Sequence, residues 1–171
     1  MAGMFRGVSV HKVDSKGRVS IPASFRTILI SNDPEYSAER GATVTIVFGN
    51  RKKRELECYS EKARIEVDEK IEMMPRGSKS RRMLERMFTT FAHTASVDEN
   101  GRLVLSSQLR AHAGIGDKAV FMASGDTFLI LSEEEYDARV AELEEWQDEI
   151  GDDVDPLSFL EAYSNPPGTA H

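Results

Sequence analysis

The sequence predicts a mainly β protein with flanking helices, of the α+β class, built from two copies of one unit. The stretch VDSKGRVSIPASFR at residues 13–26 returns as VDENGRLVLSSQLR at residues 97–110, with equivalent positions 84 residues apart. Each copy contains a β-rich stretch, an Asp-x-x-Gly turn, an Arg-led second stretch and a short helical pattern. A repeat of this kind indicates a duplicated unit whose turns hold an acid and a base at fixed, exposed positions.

The first copy begins with an alternating stretch, Phe5 to Val13, that predicts a strand. Asp14 to Gly17 forms the turn, and Arg18 to Ile21 runs back as the partner strand. Pro22 suits the first position of a short helix that extends to about Ile30. A second hairpin with a basic tip follows, with strands and tip at Thr43 to Phe48, Glu55 to Tyr59 and Gly49 to Arg54.

The second copy predicts the same order of elements. Its strands, helix cap and helix stop are Thr94 to Val97, Arg102 to Leu105, Ser106, Gly114, Lys118 to Ala123 and Thr127 to Leu131. Apolar stripes at helical spacing predict packing helices between the copies, and a capping-box pattern at Ser132 and Glu135 starts another helix downstream.

These patterns divide the chain into five parts. We expect a first unit at residues 4–60, connecting helices at 61–92 and a second unit at 93–131. A C-terminal packing helix at 132–150 precedes an acidic, largely disordered tail at 151–171.

The charge is unevenly distributed along the chain. Residues 1–120 carry 21 Lys and Arg against 15 Asp and Glu, whereas residues 121–171 carry 1 against 14. Association responds to the local potential, so the basic part is able to bind nucleic acid although the net charge of the whole chain is −7.

Several classes of function find no support in the residues. The single cysteine, Cys58, excludes an intrachain disulfide, and no apolar run approaches the ~20 residues that span a bilayer. No secretory signal pattern is present, so we expect a cytoplasmic protein. Phosphate-binding and nucleophile motifs are missing, and no metal-ligand spacing occurs among His11, His93, His112 and His171. We therefore expect no enzyme, no metal and no cofactor.

The repeated arginines are the strongest candidates for binding. Lys16 and Arg18 flank the first turn, Arg102 lies at the second, and guanidinium groups can bridge phosphates or read guanine in a major groove. A structural interpretation stands beside this one, because Asp14 and Asp98 could tie each turn together through an ion pair with its arginine. Both hold at once if the acid orients the arginine for a ligand.

Two further basic clusters are less specific. The second hairpin tip carries Arg51, Lys52, Lys53 and Arg54. Lys79, Arg81, Arg82 and Arg86 lie along one helix, where they could also pair with nearby acids. Such clusters are either secondary DNA contacts or solvated faces.

The chain resembles the MraZ family over roughly its first 150 residues. The motifs that carry the resemblance are MFRG at Met4 to Gly7, DSKGR at Asp14 to Arg18, Ile21-Pro22, DENGR at Asp98 to Arg102 and the helix after Ser132. The resemblance implies two tandem AbrB-like swapped-hairpin β-barrel half-domains that form a pseudo-symmetric unit. It also implies that protomers assemble into a ring-shaped homo-oligomer.

The implied function is that of a sequence-specific DNA-binding regulator. Family members resemble autorepressors that bind short direct repeats in double-stranded promoter DNA, upstream of the division and cell-wall gene cluster. The protein would then be associated with the nucleoid, with no membrane and no small-molecule substrate as partner.

The resemblance also assigns roles to residues of this sequence. Arg18 and Arg102 would be the chief DNA contacts, Lys16 would assist them, and Asp14 and Asp98 would orient them. Arg6 matches the opening motif, and Asn100 stands where the first copy has a lysine, so the second turn would contact DNA more weakly.

Two alternatives remain open from the sequence. One is an oligomeric structural or interaction protein whose Asp-Arg turns are only staples. The other is an AbrB-type antitoxin, although such proteins are usually short and carry a single copy of the unit.

Overall fold

The computed structural model describes residues 3–164, and the chain divides into two compact units that meet between Glu135 and Tyr136. The strands of the first unit are β1 (Val8–Lys12), β2 (Arg18–Ser20), β3 (Thr43–Val47), β4 (Leu56–Ser60), β5 (Ala92–Ser96), β6 (Arg102–Val104), β7 (Lys118–Ser124) and β8 (Thr127–Leu131). Its helices are α1 (Ala23–Ser31), α2 (Glu61–Glu72), α3 (Lys79–Glu85), a π-helical turn (Arg86–Thr90) and α4 (Ser107–Ala113). The α+β class predicted from the sequence is confirmed.

All strand pairs are antiparallel. Six strands form one sheet in the order β1-β7-β8-β4-β3-β5, and β2 pairs with β6 in a separate two-stranded ribbon. The hairpins β3–β4 and β7–β8 form as predicted. The other pairs, β1–β7, β2–β6, β3–β5 and β4–β8, each join a strand before residue 61 to a strand after residue 91. The two repeated segments are therefore interleaved within one chain.

The predicted pairing of the first strand with the Arg-led strand is wrong apart from a single bridge. Only Val13 and Val19 connect these two segments, whereas β1 pairs along its whole length with β7. A two-stranded hairpin alone buries too little surface to be stable, and pairing with β7 adds β1 to the sheet. His11 on β1 packs its ring on that of Phe121 on β7, with the ring centroids 5.2 Å apart.

The expectation of closed β-barrel halves is also wrong, because the six-stranded sheet is open and ends at β1 and β5. The strands β2 and β6 pair with each other and do not extend the sheet. Their inward side chains, Val19 and Leu103, belong to the same buried core as the sheet residues Ile46 and Phe121. The ribbon thus packs on the sheet through apolar contacts instead of closing it.

The core combines both repeated segments. Phe5 meets Phe25 of α1 and Phe128 of β8 at centroid distances of 5.2 and 5.0 Å, and Leu109 of α4 is also fully buried. Burying aromatic rings of this size contributes a large share of the free energy of folding. Helices α1 and α4, one from each copy, therefore share one core with the ribbon residues Val19 and Leu103.

The helix ends follow the predicted signals closely. The Ser106 hydroxyl accepts a hydrogen bond from the Leu109 N–H at 3.3 Å, and Gly114 ends α4 with a φ of +67°. Pro22 lies one residue before the first helical residue of α1 and not at that position itself. Along α2, the side chains Ala63 and Ile71 of the predicted stripe are buried.

The helix α5 (Glu133–Ile150) begins at the predicted cap, where the Ser132 hydroxyl accepts from the Glu135 N–H at 3.0 Å. Along this helix, 53% of Leu143 and 50% of Trp146 are exposed, and its role as a packing helix stays a prediction. Within the second unit, the Trp146 ring packs near Phe159 with the centroids 5.7 Å apart.

The described part of the acidic tail contains two short helical elements. A 3-10 helix at Pro156–Leu160 leads into α6 (Glu161–Ser164), and the Asp155 carboxylate caps the first of these by accepting from the Leu157 N–H at 3.0 Å. The expected disorder of the tail stays a prediction, and residues 165–171 of the tail lie outside the described residues. No helix in the described part of the chain is long and apolar enough to cross a membrane.

Candidate nucleic-acid interface

The first repeated turn is held together by one carboxylate. Asp14 Oδ1 accepts hydrogen bonds from the backbone N–H groups of Lys16 and Arg18, both at 2.9 Å. Asp14 Oδ2 accepts from Arg18 Nε at 2.6 Å. Gly17 has a φ of +83°, which a residue without a Cβ adopts readily. The carboxylate therefore fixes both the backbone of the turn and the base of the Arg18 guanidinium.

The second turn has the same backbone but a looser arginine. Asp98 Oδ1 accepts from the N–H groups of Asn100 and Arg102, both at 2.9 Å, and Gly101 has a φ of +73°. Arg102 Nε lies 3.5 Å from Asp98 Oδ2, and this buried nitrogen has no hydrogen-bond partner among the described residues. The second guanidinium is paired by charge but is not locked in position.

Both carboxylates are stabilised in their charged form. The backbone N–H of Arg18, followed by its side chain, lowers the pKa of Asp14 below the ordinary value. The backbone N–H of Arg102 lowers the pKa of Asp98 in the same way. Each turn therefore keeps its ion pair at neutral pH. Both Asp-Arg ion pairs on which the staple interpretation depends are present, at 2.6 Å in the first turn and 3.5 Å in the second.

Each turn is also held by the other copy. The Gly17 carbonyl accepts from the Leu105 N–H at 2.7 Å, and the Gly101 carbonyl accepts from the Ile21 N–H at 3.0 Å. Gly17 and Gly101 thus lie directly against the opposite segment. The crossed hydrogen bonds couple the positions of the two turns.

The arginines that close each repeat take part in the same crossing. Arg110 Nε donates to the Leu105 carbonyl at 3.1 Å beside Gly17, and the Arg26 guanidinium lies directly against Gly101. Sequence reasoning identified this pair as repeated but gave it no role. Its regular spacing was the signal that could have indicated one.

The ribbon β2–β6 has one buried, apolar face and one outward face that carries both repeated arginines. Val19 and Leu103 stand opposite each other and are buried, at 1% and 0% exposure. The outward face carries Arg18, Ser20, Arg102 and Val104. In this register Arg18 and Arg102 are diagonal neighbours, a position that places Cα atoms about 7–8 Å apart. The ribbon therefore presents both repeated arginines side by side.

Both arginines line one cleft of about 450 Å³. The last residue of β1 and the first residue of β7 line it as well. Its lining residues are Lys12, Val13, Asp14, Arg18, Ser20, Arg102, Asp117 and Lys118. Lys12 and Lys118 stand directly opposite each other in the β1–β7 pair. Four cations thus face two carboxylates, and the cleft favours an anionic ligand.

The two lysines of the cleft were not found from the sequence. Position 96, equivalent to Lys12 in the repeat, is Ser96, so no repeated signal marked the lysine. Only the long-range pairing of β1 with β7 brings Lys12 and Lys118 together.

The remaining predicted contacts lie outside this cleft. Lys16, Asn100 and Arg6 are exposed and do not line it. At the second hairpin, Arg51 and Lys52 line a different groove. The Arg54 guanidinium lies against Gly114, and Lys53 is exposed. The basic residues of the hairpin tip therefore do not all lie on one surface.

The candidate metal ligands and the cysteine were placed among the described residues. Across residues 3–164, no group of three or more His, Cys, Asp or Glu side chains is placed to hold a metal ion. Cys58 is fully buried, and this burial raises the pKa of its thiol well above the ordinary value. His11 lies 2.8 Å from the Ser9 hydroxyl, and partial burial lowers the pKa of its ring.

The cations that line the cleft beside the ribbon are those of a protein suited to an anionic partner. A family model described as "MraZ protein, putative antitoxin-like" matches residues 87–152. A protein of Ruegeria pomeroyi named transcriptional regulator MraZ is 49% identical over 162 residues, which cover 94% of this chain and 97% of the relative. Proteins of the same name from Cereibacter sphaeroides and Leuconostoc citreum are 38% and 28% identical, over 94% and 91% of this chain and 98% and 100% of their own.

The chain therefore belongs to the MraZ family of transcriptional regulators, which is not a class of enzymes. The family membership expected from the MFRG, DSKGR and DENGR motifs is confirmed.

Proposed function

We propose that this protein regulates transcription by binding double-stranded promoter DNA in a sequence-specific manner, with Arg18 and Arg102 as its chief contacts. The observation that carries this proposal is the ribbon, whose outward face presents both repeated arginines side by side. A two-stranded ribbon fits the major groove of DNA, which is about 12 Å wide. Arginine on such a ribbon can bind guanine or a backbone phosphate with two parallel hydrogen bonds.

Rigidity supports the same function. The backbone of each turn is held by hydrogen bonds from its aspartate and from the opposite segment. The Arg18 side chain is also bonded to Asp14, so Arg18 needs little reordering when it binds. A preorganised contact loses less conformational entropy on binding than a flexible one. Asp14 and Asp98 act as orienting residues that do not themselves contact the DNA.

The two turns contribute unequally in this proposal. Arg18 is locked by Asp14 at 2.6 Å and is followed on the same turn by the exposed Lys16. Asn100 takes the place of that lysine on the second turn and adds no charge. Lys12 and Lys118 supply phosphate contacts along the cleft, and Arg6 is a peripheral contact.

The regulatory setting in this proposal comes from the resemblance of the sequence motifs to the family. We assign the protein the role of an autorepressor that binds short direct repeats upstream of the division and cell-wall gene cluster, in the cytoplasm and at the nucleoid. In this assignment the protomers form a homo-oligomeric ring, so that neighbouring copies engage neighbouring repeats. Several weak contacts made together give far tighter binding than any one of them.

A gel-shift titration on the DNA directly upstream of its own gene tests the proposal. Wild type, Arg18→Ala/Arg102→Ala and the exposed control Arg76→Ala are compared against scrambled competitor DNA. We expect the double variant to lose specific affinity by about a hundredfold, because a base-contacting arginine contributes about 1–3 kcal/mol, and the control to bind normally. A folded double variant that keeps wild-type affinity and specificity overturns the proposal and leaves the turns as structural staples.

A further inference from the structure

A second groove lies away from the ribbon and shares no lining residue with its cleft. It has a volume of about 970 Å³ and lies between the β3–β4 hairpin tip, the α3 helix with its π-helical extension, and α4. Its floor is apolar and consists of Phe48, Met83, Met87 and Phe91. Met83 is 65% exposed and Phe91 is 43% exposed, so much of this apolar surface faces solvent.

The rim of the groove is strongly basic. It joins the two clusters that were separate in the sequence, through Arg51, Lys52, Lys79, Arg82 and Arg86. None of these five cations forms an ion pair with a carboxylate within residues 3–164, whereas Arg81 on the same helix pairs with Glu85 at 2.6 Å. His112, which also lines the groove, has a buried Nε2 with no hydrogen-bond partner in the described part of the chain.

An apolar floor inside a cationic rim favours a ligand that is both acidic and apolar. Nucleic-acid phosphates would use the rim but leave the exposed Met83 and Phe91 uncovered. An amphipathic acidic segment would use both, since its apolar side chains fill the floor while its carboxylates pair with the rim. Large exposed apolar surfaces of this kind mark interaction sites.

The chain carries a segment with this chemistry. Residues 136–164 contain ten Asp and Glu but a single basic residue. The same stretch exposes large apolar side chains, with Leu143 at 53%, Trp146 at 50% and Leu157 at 68% exposure. Its charge and its apolar surface are thus complementary to those of the groove.

We infer that the groove of one protomer binds the acidic C-terminal unit, residues 136–164, of a second copy of the chain. A groove on one copy and a segment on the next make a head-to-tail contact, and such contacts generate a ring when the rotation between copies closes. This inference rests on the homo-oligomer of the proposed function and names the surfaces that build it.

Cysteine cross-linking in the full-length protein tests the contact. Met83→Cys and Leu157→Cys are placed on separate copies that are produced together and then oxidised. Native Cys58 is fully buried and stays unreactive. Met73→Cys with Leu157→Cys is the matched control, because Met73 is a methionine at 85% exposure that does not line the groove. We expect cross-linking between copies at least about tenfold faster for the Met83 pair, owing to the high effective concentration at a docked contact.

A second measurement uses charge instead of a cross-link. Met83→Glu places a carboxylate on the groove floor, and Met73→Glu makes the same change outside it. Sedimentation velocity at fixed protomer concentration should show a smaller particle for Met83→Glu and the wild-type particle for Met73→Glu.

Three outcomes overturn the inference. One is cross-linking no faster than in the Met73 control, in a protein that still sediments as an oligomer; the homo-oligomer then stands and only the groove assignment fails. Another is a disulfide confined to single chains when Met83→Cys and Leu157→Cys are combined, which makes the segment an occupant of its own copy. The third is a loss of DNA affinity in Met83→Glu with unchanged particle size, which makes the groove a DNA surface. The Arg18→Ala/Arg102→Ala gel shift reports on DNA binding separately.

Discussion

The turn at residues 14–18 and the turn at residues 98–102 share a backbone but differ in their side chains. In both, an aspartate accepts two backbone hydrogen bonds at 2.9 Å. Arg18 is then locked to Asp14 at 2.6 Å, whereas Arg102 Nε lies 3.5 Å from Asp98 and has no hydrogen-bond partner within residues 3–164. Both copies therefore keep the aspartate that holds the backbone of the turn. They differ in how tightly the arginine side chain is held.

The largest expected difference between the turns is the loss of folding stability when the glycine of each turn is replaced by alanine. A Cβ at Gly17 would collide with the backbone carbonyl of Leu105, whereas at Gly101 it would meet the flexible end of the Arg26 side chain. Both positions also have positive φ, which costs a residue with a side chain about 1–2 kcal/mol. We expect Gly17→Ala to lower the free energy of unfolding by about 2–4 kcal/mol and Gly101→Ala by about 1–2 kcal/mol.

Urea denaturation at one fixed protomer concentration measures this difference, because assembly would otherwise shift the midpoint. Gly77→Ala, at a glycine with open space around it and no positive φ, is the control. Equal losses for Gly17→Ala and Gly101→Ala would show that the rigid backbone contact at the first turn is not decisive.

The second largest difference between the turns should appear in the DNA affinity of the single arginine variants. We expect Arg18→Ala to weaken binding to upstream DNA by about 10- to 100-fold, in line with about 1–3 kcal/mol for a base-contacting arginine. Arg102→Ala should cost several-fold less, because the looser guanidinium must be ordered on binding. Fluorescence anisotropy with folded variants checks both values, and a larger effect for Arg102→Ala would reverse the assignment of the main contact.

Exchanging the central turn residues should make the two copies more alike. Asn100→Lys gives the second turn the cation of the first, so we expect the slope of log affinity against log salt to steepen by about 1. Lys16→Asn should flatten it by a similar amount. Anisotropy titrations at four salt concentrations provide the slopes, and unchanged slopes in both variants would exclude these positions from phosphate contact.

The smallest difference should appear in acid. Because the pKa values of Asp14 and Asp98 are lowered in the folded protein, their stabilising contribution is present above the ordinary aspartate pKa and is lost as the pH falls below about 4. Asp14→Asn should reduce this acid sensitivity more than Asp98→Asn, since the side chain of Arg18 adds a hydrogen bond that Arg102 lacks. Thermal unfolding between pH 3 and pH 7 compares the variants, and identical profiles would contradict the unequal ion pairs.

Local features of the fold could be predicted from the sequence because local chemistry decides them. Turns at Asp14 and Asp98 follow from the position of glycine, and the ends of α4 follow from Ser106 and Gly114. The hairpins β3–β4 and β7–β8 connect neighbouring stretches, so their partners were also evident.

Long-range pairing could not be predicted in the same way. The partner of β1 lies in β7, more than a hundred residues away, and no local pattern distinguishes it from the adjacent β2. For the same reason the open sheet and the lysines Lys12 and Lys118 were missed at the site. The repeat indicated Arg18 and Arg102 because their positions depend on the turn itself.

The most direct test of the central claim is the salt dependence of binding to upstream DNA for wild type and for Arg18→Ala/Arg102→Ala. If the ribbon arginines contact the DNA, the double variant should bind far more weakly, and the slope of log affinity against log salt should be flatter by about 2. A folded double variant with the affinity and the slope of wild type would contradict the account, because the ribbon arginines would then make no contact with the DNA.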